Sequence, residues 1–202
     1  MGPVEIGTQP RDEFDEVTPP HTVGDIVERV HTADVVCGST RIVTIDGPAG
    51  SGKTTLAASL TAALVGCHVV HMDDLYNGWS QDLNRELAER IEASILEPLR
   101  IGAEPQYRKY DWHVGAFTEL VTVPRAPYLI LDGVGSGNPL LRNSVALAIW
   151  IESEPKSLVG RVLDRDGEHL RDDILRWQHH ESEYFAAQGV KQAADLRLRG
   201  DN

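Results

Sequence analysis

Residues Gly47-Pro48-Ala49-Gly50-Ser51-Gly52-Lys53-Thr54 fit the pattern G-x-x-x-x-G-K-[ST], and few strings of eight residues constrain a fold so tightly. The glycines let the backbone curl so that successive N–H groups point inward at a phosphate. A helix opening at the end of the loop adds its positive N-terminal end. This geometry needs a strand before the loop and a helix after it, and both are legible. Arg41-Ile42-Val43-Thr44-Ile45-Asp46 is β-branched and apolar, and residues 55–64 read as helix. The loop, carried one residue further to Thr55, is therefore the expected seat of a nucleoside triphosphate. Lys53 would reach the β- and γ-phosphates, and the Thr54 hydroxyl would ligate Mg²⁺.

The rest of the chain alternates in α/β fashion. His68-Val69-Val70-His71-Met72 is a short second strand, and Leu83, Leu87, Ile91 and Ile95 place a helix over 82–97 that ends near Pro98. Residues 101–124 read as irregular. Residues 128–132 and 145–151 are continuous apolar runs, as in buried parallel strands. Helices are expected over 155–166 and 172–187, a short one over 23–33, and a last edge strand over 195–198. The expected fold is α/β, a five-stranded, parallel, doubly wound sheet with helices on both faces, of the P-loop NTPase type. A 202-residue chain suits one such domain, here 23–202, preceded by an acidic tail over 1–22.

Charge and composition narrow the partners. The net charge of −12 argues against a nucleic-acid surface. Residues 1–30 concentrate seven acids against two bases, so an anionic substrate must be met by a local cluster of bases. No apolar run approaches the roughly 20 residues a membrane helix needs, and the N-terminus lacks a signal-peptide layout. Cys37 and Cys67 make neither a disulfide framework nor metal-ligand spacing. A cytoplasmic protein without membrane partners is expected; composition leaves open whether it forms a homo-oligomer.

Ligands of such sheets sit beyond the carboxyl ends of the strands, so polar residues there are the candidates. Asp73 and Asp74 follow the second strand and could orient or deprotonate a hydroxyl, although Asp is also common at helix caps. Asp132 ends a buried strand, the usual place for an acid that holds Mg²⁺ or its waters, or for a simple Asp-Gly turn. Arg161 and Arg165 share one helix face and could stabilise a transferring phosphoryl group, or merely solvate that face. Tyr110, Asp111 and Trp112 join a carboxylate to aromatic faces, suiting a ribose hydroxyl and a flat ring. Asp132-Gly133-Val134-Gly135 also fits the D-x-x-G signature of nucleotide switches, but no guanine-reading [NT]-K-x-D follows it.

With these segments in order, the chain resembles the uridine kinase family and its relatives, including nicotinamide riboside kinases and phosphoribulokinases. The matching pieces are IDGPAGSGKTT (45–55), HMDDLY (71–76), YDW (110–112), LILDG (129–133), RVLDRD (161–166) and ADLRLRG (194–200). The resemblance implies transfer of the ATP γ-phosphoryl group, with Mg²⁺, to a hydroxyl of a small molecule such as a nucleoside. It makes Asp73 the candidate base with Asp74 as its understudy. It places Tyr76, Asp111 and Trp112 on the acceptor side, and Arg161 and Arg165 on a lid spanning about 161–172. The chain departs from the pattern in having Asp132 where many relatives have Glu, a short lid, and no base-reading histidine in register after Trp112. The donor half of the pattern transfers; the acceptor stays open, a nucleoside monophosphate or a non-nucleoside being the alternatives.

Overall fold

The computed structural model describes residues 21–79, 83, 85–153 and 155–200, the side chains of 155–157 excepted. Residues 1–20 of the acidic segment set apart by the sequence lie outside them.

Five parallel strands form the central sheet in the order β2-β5-β1-β6-β7: β1 is Arg41–Asp46, β2 Cys67–His71, β5 Tyr128–Asp132, β6 Val145–Glu152 and β7 Leu196–Arg199. Alternation along these strands divides the core between the two faces. Val43, Ile45, Ile130 and Ile149 pack against helices α1 (Val23–Thr32) and α2 (Lys53–Ala63) through Ile26, Val30, Ala57 and Leu60. Ile42, Leu129, Leu131 and Trp150 face the other way, onto α3 (Arg85–Ile91) and α6 (Arg171–Gln188) through Leu87, Ile91, Trp177 and Tyr184. Helix α1 opens on a capping box, Thr22 Oγ1 accepting the Asp25 amide while the Asp25 carboxylate accepts the Thr22 amide.

The helix expected to stop near Pro98 runs on to Arg100. After α3 the chain widens into a π-helical turn over Glu92–Leu96 and then continues as α4, Glu97–Arg100. Proline has no N–H for the regular i−4 bond and its ring crowds that carbonyl; the wider turn ahead of it absorbs both problems.

The segment read as irregular holds an antiparallel hairpin, β3 (Gln106–Asp111) with β4 (Ala116–Thr122). The sequence hides it, because the buried positions of β3, Tyr107 and Tyr110, are three residues apart, and a register shift at Lys109/Tyr110 leaves Thr118 as an extra residue in β4. The period-2 signature of a strand is thereby broken. Helices α5 (Pro155–Asp166) and α6 carry most of the segment expected to form a lid, and the short α7 (Val190–Ala193) leads into β7. No helix among the described residues is long and apolar enough to cross a membrane.

Candidate functional site

The phosphate loop leaves the end of β1 under steric compulsion. Gly47 has φ 142°, and a Cβ there would lie 2.0 Å from the Ile151 carbonyl oxygen of β6, so only glycine lets the chain turn here. Gly52, at φ 98°, hands the chain to α2. Lys53, the first residue of α2, is 8% exposed and donates through Nζ to the Gly47 and Pro48 carbonyls at 2.8 Å each. Burial pulls its pKa down; Glu181, Asp46, Asp132 and Asp73 all push it back up.

One turn of chemistry away, Asp132 gathers two partners on a single oxygen. Its Oδ2 accepts from the Thr54 hydroxyl at 2.9 Å and lies 2.9 Å from His71 Nδ1, while its Oδ1 is buried with no protein partner. The bond to Asp132, outweighing burial, raises the His71 pKa. A hydroxyl and a carboxylate side by side, with one buried oxygen unspent, suit a hard cation. Mg²⁺ takes few ligands from the protein and keeps phosphate and water oxygens for the rest. Among the described residues, no group of three or more His, Cys, Asp and Glu is placed to hold a metal ion.

The adjacent acids Asp73 and Asp74, in a 3₁₀ turn over Met72–Asp74, have different surroundings. Asp74 is bound to the hairpin, with Lys109 Nζ at 3.0 Å and the Tyr107 hydroxyl donating at 3.1 Å. Asp73 opens to solvent, yet the crowded cleft desolvates its carboxyl and raises its pKa against the pull of Lys53 and Arg165. Its backbone carbonyl accepts from Trp112 Nε1 at 3.1 Å. Trp112 in turn meets Trp79 at 5.1 Å and Tyr110 at 5.2 Å between ring centroids, and Trp79 meets Trp177 of α6 at 6.3 Å. These rings line an aromatic wall beside Asp73, with Trp112 the more open face at 39% exposure.

The other candidates fall in unequal places. Asp111 accepts the His113 and Val114 amides at 2.9 and 3.1 Å and so shapes the hairpin turn. Tyr76 lies under the wall, its hydroxyl donating to the Val134 carbonyl at 2.7 Å. Arg161 reaches backbone instead of the cleft: the Gly200 carbonyl at 3.1 Å and the Gly50 carbonyl at 3.4 Å. Arg165, held by Asp166 at 2.6 and 2.7 Å, carries the charge felt at Asp73. Helices α5 and α6 touch both the loop and the wall, since Val162, Leu163 and Ile174 cluster with Ala49 of the loop and Trp79 of the wall.

Two buried acids complete the site and were not foreseen. Asp46 accepts the amides of Gly47 at 2.7 Å, Gly137 at 2.8 Å and Gly135 at 3.1 Å; burial nonetheless pushes its pKa up to about 6. Its place at the strand end just before the loop was a usable signal. Glu181 of α6 accepts the Ala49 amide at 3.0 Å, across 132 residues of sequence, and no motif announces it.

No protein-family model matches the sequence, and no curated protein matches it. Solved structures do match in shape. A possible uridine kinase from Bacillus stearothermophilus superposes with TM-score 0.63 at 17% identity, over 87% of this chain and 96% of that one. A candidate fructose transport system kinase from Silicibacter sp. TM1040 gives 0.57 at 21% identity, over 88% and 99%. A Saccharomyces cerevisiae protein, a candidate P-loop kinase with a circular permutation, gives 0.52 at 12% identity, over 89% and 98%. With the sheet order, the loop geometry and these likenesses together, the chain has the α/β P-loop NTPase fold.

Proposed function

We propose that this protein is an ATP- and Mg²⁺-dependent phosphotransferase that moves the γ-phosphoryl group of ATP to a hydroxyl of a small metabolite, a nucleoside or a close analogue. The observation that carries the reading is the placement of Asp73. A carboxyl with its pKa raised stands in one electrostatic neighbourhood with Lys53 and Arg165, beside an aromatic wall. A phosphate loop alone would serve any nucleotide-binding protein; the loop with a base and a ring-sized wall suits a kinase.

Phosphoryl transfer calls for alignment and charge neutralisation more than covalent help. Lys53, swung from its own loop carbonyls, meets the β- and γ-phosphates, and loop amides take the remaining oxygens. Thr54 and Asp132 would hold Mg²⁺, which when bound screens charge on the phosphates. Asp73 accepts the proton of the acceptor hydroxyl; that oxygen bonds to the γ-phosphorus as the bond to the bridging oxygen breaks, and ADP leaves. Its raised pKa improves Asp73 as a proton acceptor at neutral pH. Arg165 is the lid charge available to the transferring group. Arg161, committed to backbone carbonyls, instead ties α5 to the back of the loop.

Asp73, not Asp74, is assigned as base because Asp74 is paired with the Lys109 ammonium and accepts from the Tyr107 hydroxyl. The same pairing bears on the acceptor. Arg108 and Lys109 are the bases the sequence offers for an acceptor phosphate, but Lys109 sits on Asp74 and Arg108 donates to the Thr118 carbonyl at 3.2 Å. This favours an uncharged acceptor over a nucleoside monophosphate. The loop amides of Gly135 and Gly137 held on buried Asp46 likewise favour a fixed catalytic edge over a nucleotide-sensing switch.

The test is Mg²⁺-dependent ADP release from ATP with nucleosides, nucleoside monophosphates and small polyols added singly. Strong stimulation by a nucleoside-like compound is expected. ATP turnover that no acceptor stimulates, or a preference for GTP, would overturn the reading.

A further inference from the structure

Helix α6 brings a carboxylate into the phosphate loop that the proposed transfer does not use. Glu181 is 3% exposed and both of its oxygens accept the Ala49 amide, at 3.0 and 3.2 Å. Trp177, one turn earlier on the same helix, also hydrogen-bonds to it. The ionisable groups around it are Lys53 at the start of α2, Asp46 at the end of β1, and Tyr76 in the segment after β2. Among the carboxylates that support the Lys53 ammonium against burial, Glu181 is the foremost, ahead of Asp46, Asp132 and Asp73.

An anion in this place has the wrong sign for a phosphate site. Two negative charges a few ångströms apart repel strongly where water is scarce. A glutamine would offer the same oxygen to the Ala49 amide without that repulsion, so packing and hydrogen bonding alone do not account for a carboxylate. What a carboxylate adds is charge balance for a buried lysine, useful only while no phosphate supplies it. Resting on the nucleotide-binding reading above, we propose that Glu181 is a proton-linked counter-anion of the phosphate loop. It balances Lys53 until a nucleotide draws that charge away, and it then takes up a proton from solvent.

Burial places the Glu181 pKa at about 7, against the pull of the Ala49 amide and Lys53, so a modest change in local charge switches its protonation near neutral pH. Asp46 is the other buried acid in reach. Its value of about 6 and its three backbone donors keep it charged over most of the window in which Glu181 titrates. The sign follows from linkage. A nucleotide that raises the Glu181 pKa binds more tightly at low pH, and its affinity falls as pH climbs through and above 7.

The experiment is calorimetric titration of the full chain with MgADP, in buffers of differing ionisation enthalpy, from pH 6.5 to 8.5. It compares the wild type with Glu181→Gln. Protons belonging to the nucleotide and to Mg²⁺ enter both titrations and cancel in the difference; Lys53 loses its foremost counter-charge in Glu181→Gln, and the carboxyl band sought below separates the Glu181 proton from any on Lys53. The wild type is expected to take up a larger fraction of a proton than Glu181→Gln at pH 7.5, and to lose about 3- to 10-fold more affinity across the range. Equal proton uptake and parallel pH profiles would overturn the proposal. Infrared difference spectroscopy of the wild type alone keeps the test decisive if the variant does not fold: MgADP must produce a new protonated carboxyl band, and its absence overturns the proposal. A wild type that binds no nucleotide at any pH would instead overturn the underlying reading.

Discussion

Eight consecutive residues make the phosphate loop, whereas the aromatic wall beside Asp73 draws Trp79, Tyr110, Trp112 and Trp177 from three distant segments. The loop works through backbone amides and one lysine, fixed by β1 and α2 on either side. The wall works through side chains whose only common feature is where the chain brings them. Backbone chemistry cannot be altered by substitution without breaking the turn, as Gly47 against the Ile151 carbonyl shows. Side-chain chemistry can change one ring at a time. One fold can thus keep its phosphoryl donor while its acceptors diverge.

If the two regions are this separable, a lesion in one should leave the other's ligand alone. Lys53→Ala is the largest expected effect, a loss of about 1,000-fold or more in transfer, on the scale of removing a main electrostatic stabiliser. Its acceptor binding, followed by quenching of tryptophan fluorescence, should stay near wild type. Joint loss of acceptor binding would show the regions to be coupled. Next comes Asp73→Asn, expected to cut kcat by about 100-fold or more while nucleotide affinity holds, the scale of a lost general base. Asp74→Asn, which only unfastens Lys109 and Tyr107, should cost about 10-fold or less. Equal losses in the two variants would remove the distinction drawn between these neighbours.

On the wall, Trp112→Ala should raise the acceptor KM about 10-fold, since stacking of a base on an aromatic ring contributes about 1–3 kcal/mol. The KM for ATP is the internal control and should move little. An acceptor KM that does not move would take the ring out of the recognition surface.

The smallest effect concerns stability and pH. Glu181 and Asp46 hold protons more tightly in the folded chain than in the unfolded one, at about 7 and about 6 against ordinary values of 4.5 and 3.8. Their contribution to stability therefore falls as pH rises from about 4 to about 7 and levels off above that. Glu181→Gln should be more stable than the wild type by about 1–2 kcal/mol at pH 8, with the gap closing by pH 5. Denaturant unfolding at the two pH values would show it, and a pH-independent gap would contradict the assigned burial cost.

Where sequence reading succeeded, the signal was local. Strand β1, the loop and α2 are contiguous and mutually required, and β5 and β6 are apolar throughout because both of their faces are covered. The hairpin was missed because burial along its strands does not alternate, and the helix across Pro98 because a π turn makes room for a proline that normally ends a helix. Among the candidates for the site, Asp73 and Asp74 are indistinguishable in sequence, both acids just past a strand. Only the hairpin folding over Asp74 separates them.

By itself the sequence determined the sheet-and-loop frame and the phosphate seat, because a turn of backbone amides is specified by neighbours within a dozen residues. Tertiary structure decided which acid is free, which arginine faces the cleft and which rings form the wall. It alone brought Glu181 to the loop. Each of these depends on burial and on contacts between residues far apart in the chain, and desolvation and charge pairing act through space.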